Sequence, residues 1–313
     1  MPTYRITLTL SSPLATPLVS GTIWGHLAWA LRYLEGERAL EDWLDEQDRR
    51  PWLLSSQMPA GMLPRPLLKP SGRSGISGSV EEMQREKTAG KFAYIPESTF
   101  LKLRNGMSEE ALIDTLKHHD GYIVSAKGFK PRGLKAHNSI DRSTGTTPET
   151  GGLFFEEVIF PGPDGRRQIF LQAGEPCEGQ LERLLTFVGE TGFGSNASTG
   201  NGHFQWEIEE EKELFSTGGN RAMSLSHGVI SENMRASSYK QHVHFGKLGG
   251  DLAKGGYSPF KYPILMAQPG TTFDPADTGP FGAIIKGVHH DPALAQVRHY
   301  AMHLPISFTE VDS

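Results

Sequence analysis

The chain is poor in several things, and each absence narrows what it can be. It has one cysteine, Cys177, in 313 residues, so no disulfide can form within it and a cytoplasmic setting is expected. No apolar run reaches the ~20 residues of a membrane-spanning helix, and Met1 is followed at once by an alternating strand pattern instead of a signal peptide. Basic charge is not in excess: 31 Lys and Arg against 36 Asp and Glu leave a formal charge of −5, so any contact with nucleic acid must be a local patch. No repeat recurs at solenoid periods. There is no Gly-Lys-Ser/Thr phosphate loop, no His-Glu-x-x-His, no EF-hand loop and no Ser/His/Asp order, so no catalytic residue, metal or cofactor is expected.

Glycine is abundant, and it concentrates where it matters most in residues 191–202, Thr-Gly-Phe-Gly-Ser-Asn-Ala-Ser-Thr-Gly-Asn-Gly. Before this loop, Leu181, Leu184, Leu185 and Val188 recur at helical spacing; after it, Phe204, Trp206 and Ile208 alternate as in a half-buried strand. The order helix, loop, strand is the reverse of a dinucleotide-binding turn, which rules that reading out. Two readings stay open. The loop is a flexible connection, or its small residues Ser195, Asn196, Ser198 and Thr199 let backbone N–H groups approach a phosphate.

Elsewhere, Tyr4, Ile6, Leu8 and Leu10 alternate as a strand, and Ser20 is placed to cap a helix with Ile23, Trp24, Leu27 and Leu31 on one side. A charged helix over about 37–48 and an extended stretch over 51–58 follow. Residues 64–92, rich in Pro, Ser and Gly, read as a long mobile excursion. A short helix is expected over 108–117, a strand over 122–126, and a hairpin joining 152–160 to 167–173. The order strand, helix, strand, strand, helix, strand is the split βαβ, ferredoxin-like pattern. A boundary falls near 213–218, and the remainder should hold strands at about 221–226, 261–267, 281–288 and 300–306. The fold class is α+β.

Two groups of residues carry chemical interest. Lys127, Lys130, Arg132, Lys135 and Arg142 face one acid, Asp141, over 127–142, with His137 and Asn138 among them. In an acidic chain this local excess suits phosphate contact better than a plain solvated loop. His26 reads either as a histidine at the edge of the core or as a general base on an RNA 2′-hydroxyl. The His-His-Asp runs at His118 and His289 read as surface turns, and His242 with His244 would share one face of a strand.

Several blocks, in order, resemble one family. They are Ser12-Pro13-Leu14-Ala15-Thr16-Pro17-Leu18 with Ser20-Gly21-Thr22-Ile23-Trp24-Gly25-His26-Leu27, then Leu54-Ser55-Ser56-Gln57-Met58-Pro59, Leu63-Pro64-Arg65-Pro66 and Tyr94-Ile95-Pro96. They continue with His137-Asn138-Ser139-Ile140-Asp141-Arg142, a GxGxxxxxGxG loop at Gly192, Gly194, Gly200 and Gly202, and a block from Tyr257 to Phe273. Together they resemble RAMP proteins, and among these the subunit of type III (Csm-type) CRISPR effector complexes that caps the crRNA 5′ handle. Two positions depart from the family: Gly21 stands where Asp is common, and 195–199 lacks the usual Lys or Arg, which leaves backbone contacts for the loop.

The resemblance implies tandem ferredoxin-like domains, 1–212 and 218–313, with a thumb-like insertion over about 64–150 in the first. It implies a non-catalytic crRNA-binding subunit that bridges the adjacent RAMP backbone subunit to the large polymerase/cyclase subunit and meets target RNA indirectly, with no membrane role. The RNA-contacting residues would be Ser20, Gly21, His26, Lys127, Lys130, Arg132, Lys135, His137, Asn138, Arg142, Gly192, Gly194, Ser195, Asn196, Ser198, Thr199, Gly200 and Gly202. The rival reading is a metal-independent RAMP endoribonuclease that processes precursor crRNA. A third is a general single-strand RNA binder.

Overall fold

A computed structural model describes residues 1–70, 79–118, 132–162, 165–216 and 218–311. In chain order it has β1 (Thr3–Leu10), α1 (Ser20–Glu35), α2 (Glu37–Arg49), β2 (Leu53–Leu54), β3 (Met58–Pro59), β4 (Met62–Pro64), α3 (Val80–Ala89), β5 (Tyr94–Pro96), α4 (Glu97–Leu103) and α5 (Glu109–Leu116). Next come β6 (Arg132–Asn138), β7 (Leu153–Ile159), β8 (Arg166–Gln172), α6 (Glu178–Thr191) and β9 (Phe204–Glu210). The last hundred residues add β10 (Arg221–Ser224), β11 (Met234–Ser238), β12 (Gln241–His244), β13 (Ile264–Ala267), β14 (Thr272–Pro275), β15 (Phe281–Lys286), β16 (Arg298–His303) and β17 (Pro305–Phe308).

Alternation makes β1 the centre of the first sheet. Tyr4, Ile6, Leu8 and Leu10 are buried, and the strand is paired antiparallel to β8 on one side and β9 on the other. The full order is β2–β8–β1–β9, with β3 also on β8. Helices α1 and α6 pack together, and α6 also packs on β9. Ile23, Trp24, Leu27 and Leu31 of α1 and Leu181, Leu184, Leu185 and Val188 of α6 are buried, each worth about 1.5–3 kcal/mol over exposure. Arg5 anchors α4 to this sheet: its guanidinium bonds Glu97 at 2.6 Å and also pairs with Glu211, 5.0 Å above the Phe170 ring.

The second half is built from strands. A four-stranded sheet runs β11–β14–β10–β17, and β12–β13 and β15–β16 form two-stranded ribbons. Tyr300, Met302, Leu304 and Ile306 belong to the same buried cluster as Leu8 and Leu54, so one core spans both halves. The two halves also meet at the edge of the first sheet. The Leu54 N–H donates to Tyr300 Oη (2.7 Å) and the Leu54 carbonyl accepts from Ser226 Oγ (2.6 Å), so the free side of β2 is closed by side chains. No described helix is long and apolar enough to cross a membrane.

Four expectations need correction. Ser20 does not cap α1: Val19 precedes the helix without a side-chain cap, and Ser20 is fully buried with its hydroxyl on the His227 carbonyl (3.0 Å). The stretch 64–92 is not wholly an excursion. β4 and β5 bracket it as a pair, and α3 begins in a capping box between Ser79 and Glu82; residues 71–78 lie outside the described residues. The strands over 152–160 and 167–173 are not each other's partners, because β7 pairs with β6 while β8 pairs with β1. The alternation over 300–306 divides between β16, paired with β15, and β17, paired with β10, with Leu304 at the break. The strand expected over 122–126 lies outside the described residues.

Candidate functional site

The glycine loop is held rigidly from three sides. Thr16 receives the Ser195 N–H on its Oγ1 (2.9 Å), and the Pro13 carbonyl receives the Gly202 N–H (2.8 Å). His26, on α1, supplies the third tie: its ring stacks on Phe193 at 4.1 Å between centroids, and Nε2 lies 2.9 Å from the Gly194 nitrogen. Its Nδ1 lies 2.8 Å from the Thr22 carbonyl. A carbonyl only accepts and an amide N–H only donates, so Nδ1 carries the proton and the Nε2 lone pair is occupied. Burial pushes the His26 pKa down, which agrees with a neutral ring.

The loop backbone follows from its glycines. Gly194 sits at φ +82° against the Thr16 side chain, and Gly202 at φ +79° against the Phe193 carbonyl; a side chain at either would be both strained and obstructed. Gly192 and Gly200 also adopt positive φ, as does Asn196 at φ +59°. What remains outward is the tip, where Ser195, Ser198, Thr199 and Gly200 are exposed around a short 3-10 turn at Ala197–Thr199.

The basic segment is a strand from Arg132 to Asn138, not a loop, and its acids come from the strand opposite. The β6–β7 hairpin is rooted where Ile159 exchanges two backbone hydrogen bonds with Leu14, both 2.8 Å. Its inner face rests on the glycine loop: Lys135 Nζ donates to Asn201 Oδ1 (2.9 Å), and Asn196 Nδ2 donates to Glu156. His137 lies 3.3 Å from the same carboxylate and stacks on Phe154 at 5.2 Å. The outer face exposes Leu134, Leu153 and Phe155, with Arg132 3.5 Å from Glu157. Asn138 is tied to Thr147 by two side-chain hydrogen bonds, and Arg142 is exposed in the turn that follows. Lys127 and Lys130 lie outside the described residues.

The residues singled out from sequence thus fall in two places. His26, the glycine loop, Lys135 and His137 come together where the inner face of the hairpin meets the loop, while Arg132 and Asn138 alternate with them on its outer face. Ser20 and Gly21 lie elsewhere, at the first turn of α1, beside a row of histidines: ring centroids step from His227 to His242 (5.0 Å), to His244 (6.0 Å) and to His299 (4.9 Å). Only the His242/His244 pair was visible as an i, i+2 spacing. His227, Lys261 and His299 come from separate segments, and nothing local marks them. His289 ties its own loop to the β12–β13 connection, Nε2 2.9 Å from the Ser258 carbonyl and Nδ1 accepting the Asp291 N–H at 3.0 Å.

A βαββαβ sheet with a braced glycine loop before its last strand, and a hairpin lying on that loop, defines a class of protein. Residues 18–205 match the family model of the RAMP superfamily, and the chain belongs to that superfamily. Within it, the likeness is to Csm4. The CRISPR system Cms protein Csm4 of Thermococcus onnurineus (strain NA1) is 25% identical over 211 residues, which cover 66% of this chain and 68% of that one. A chain of the Csm1–Csm4 cassette in complex with cA3 matches over 100% of both chains at 14% identity with a TM-score of 0.58. A chain of the Csm3–Csm4 subcomplex of the type III-A CRISPR-Cas interference complex matches over 98% and 99% at 13% identity with a TM-score of 0.55. These structures share the fold.

Proposed function

We propose that the chain is a non-catalytic crRNA-binding subunit of a type III CRISPR ribonucleoprotein, working in the cytoplasm. It holds the crRNA 5′ handle and bridges the backbone RAMP subunit to the large polymerase/cyclase subunit; target RNA is met only through these neighbours. The single observation that carries the reading is the exposed tip of the glycine loop, flanked by the β6–β7 hairpin in a chain of Csm4 likeness. A single strand laid over the tip would meet Ser195, Ser198 and Thr199, with Lys135 at the seam between loop and hairpin and Arg132 and Arg142 exposed on the hairpin beyond it, basic groups of the kind that position a phosphate backbone. In this reading residues 1–212 are a ferredoxin-like RAMP unit whose thumb is the insertion over about 64–150. Residues 218–313 are the second, ferredoxin-like or α+β unit.

The endoribonuclease reading is the weaker one. It needs His26 as a base, yet Nε2 is engaged by Gly194 and Nδ1 by Thr22.

A gel-shift titration with end-labelled crRNA, native or scrambled in the handle, in EDTA, tests the proposal. Tighter binding to the native handle with intact RNA is expected, and Lys135→Ala should weaken it and lower the salt slope by about one. Equal affinity for both RNAs would remove the handle assignment, and shortened RNA would restore the nuclease.

A further inference from the structure

The histidine row takes no part in the glycine-loop surface. It starts and ends at the first turn of α1. At one end, Ser56 Oγ accepts the N–H groups of Ser20 (3.1 Å) and His227 (3.3 Å), so its own proton must go to His227 Nδ1, 2.8 Å away. That leaves the His227 proton on Nε2, in a ring 5.0 Å from His242. At the other end, Gly21 packs against the Tyr300 carbonyl and the edge of the His299 ring: a Cβ on Gly21 would lie 2.5 Å from that carbonyl oxygen and 3.5 Å from His299 Cε1 and Nε2. The ring is 5% exposed, and its Nε2 has no hydrogen-bond partner among the described residues. Ser20, Thr22 and Ile23 direct their N–H groups to Ser56 Oγ and the Val19 carbonyl, so in the first turn of this 16-residue helix the Gly21 N–H is the one left without a described partner.

The electrostatics are one-sided. Lys261 lies beside His244 and His299, with Nζ 3.0 Å from the Arg298 carbonyl, and its pKa is drawn down to about 8 by burial. Burial and these like-charged neighbours pull His227 to about 3, His244 to about 4 and His299 to about 3. Burial also lowers His242. The groups facing the row are Ser56 from the β2–β3 loop, His242 and His244 from β12, Lys261 before β13, His299 from β16, and His303, which acts on His227. The neighbouring Arg298 turns its guanidinium to Asp45 and Asp48 of α2 instead. No carboxylate is among the groups that shift these histidines. A helix N-terminus, a partnerless buried imidazole, three more imidazoles and a lysine make a site short of one anion.

We propose that this row is a subsite for one phosphodiester of single-stranded RNA, bound together with a proton. This rests on the RNA-binding reading above and adds to it a place away from the glycine loop and a dependence on pH. A phosphate against His244 and His299 stabilises the imidazolium that their cationic neighbours disfavour, so the bound state takes up a proton that the free state does not hold. Affinity then rises as pH falls, and levels off only near the free-state pKa.

The test is fluorescence anisotropy of the full chain with a labelled eight-nucleotide single-stranded RNA bearing the handle sequence, at constant ionic strength, between pH 8 and pH 5. The wild type should gain up to about tenfold in affinity per pH unit where one proton is taken up. His244→Asn, at a partly accessible position, should flatten that slope, and His299→Gln should do the same if thermal melts show it folded. Lys135→Ala should weaken binding equally at every pH and keep the slope. RNA binding with a flat pH profile in the wild type, or an unchanged slope in His244→Asn, overturns the subsite and leaves the handle-binding reading standing. No RNA binding at any pH overturns both.

Discussion

The sharpest consequence of the site geometry concerns His26. If the ring is a latch, removing it damages the loop and not a reaction. His26→Ala takes the acceptor from the Gly194 N–H, a loss of about 1–3 kcal/mol where that group stays buried. It also removes the stack on Phe193, worth about 0.5–1.5 kcal/mol. The ring lines a small cavity with Leu8, Leu18, Leu27 and Val188, and the truncation enlarges it. The sum is about 2–4 kcal/mol, or, with an unfolding entropy of about 2.1 cal/mol/K per residue over the chain, a fall in Tm of roughly 3–6 °C. His26→Gln, whose amide can both accept and donate, should recover the hydrogen-bond share and not the stacking share. The assay is thermal or urea denaturation of both variants beside RNA affinity and RNA integrity in EDTA. Lower stability, weaker RNA binding and intact RNA throughout are expected. An unchanged Tm, with a wild-type cleavage activity that vanishes in His26→Ala, would refute the latch.

Three further outcomes follow from the structure. Gly202→Ala should destabilise the chain by about 3 kcal/mol or more, because its Cβ meets the Phe193 carbonyl at a left-handed backbone; Gly200→Ala, at φ +89° with open space around it, should cost only about 1–2 kcal/mol in urea melts. Arg5→Ala should cost about 3–5 kcal/mol by leaving Glu97 and Glu211 together without their cation, and urea titration at pH 7 would show it; a loss under about 1 kcal/mol would contradict the assigned geometry. In the absence of RNA the chain should lose stability as pH falls from 6.5 towards 4. Buried His303, drawn by burial from 6.5 to about 4, binds its proton more readily when unfolded, so it alone removes about 3 kcal/mol over that window; urea midpoints that stay level from pH 7 to pH 4 would refute this.

Much of the frame was legible because its elements bury one face. β1, α1, α6 and β9 each pair a regular apolar period with a polar side, and the glycine loop between α6 and β9 follows from both neighbours. The β6–β7 hairpin was not legible as a strand pair. Its outward positions carry Leu134, Phe155 and Leu153 while its inward ones carry Lys135, Glu156 and His137, so hydrophobicity marks the wrong face. The expected single strand over 300–306 failed for another reason: alternation continues unbroken while the pairing partner changes at Leu304, and side-chain period says nothing about which sheet a strand joins. Most of the histidine row lies beyond any local signal: only the His242/His244 spacing shows in the sequence, while His227, His299 and the adjoining Lys261 come from separate segments that only the fold brings together.

The hydroxyl seal on β2 has a bearing on how this protein can be taken apart. A fragment ending before β10 would keep every strand of the first sheet and every α-helix described here, and would look complete on a diagram. It would nonetheless expose the Leu54 N–H and carbonyl that Tyr300 and Ser226 now cover, and a bare edge is a template for pairing with another copy. For anyone cutting the chain into pieces, the last hundred residues are therefore the guard that keeps the first sheet from polymerising, and the two halves are better expressed as one chain.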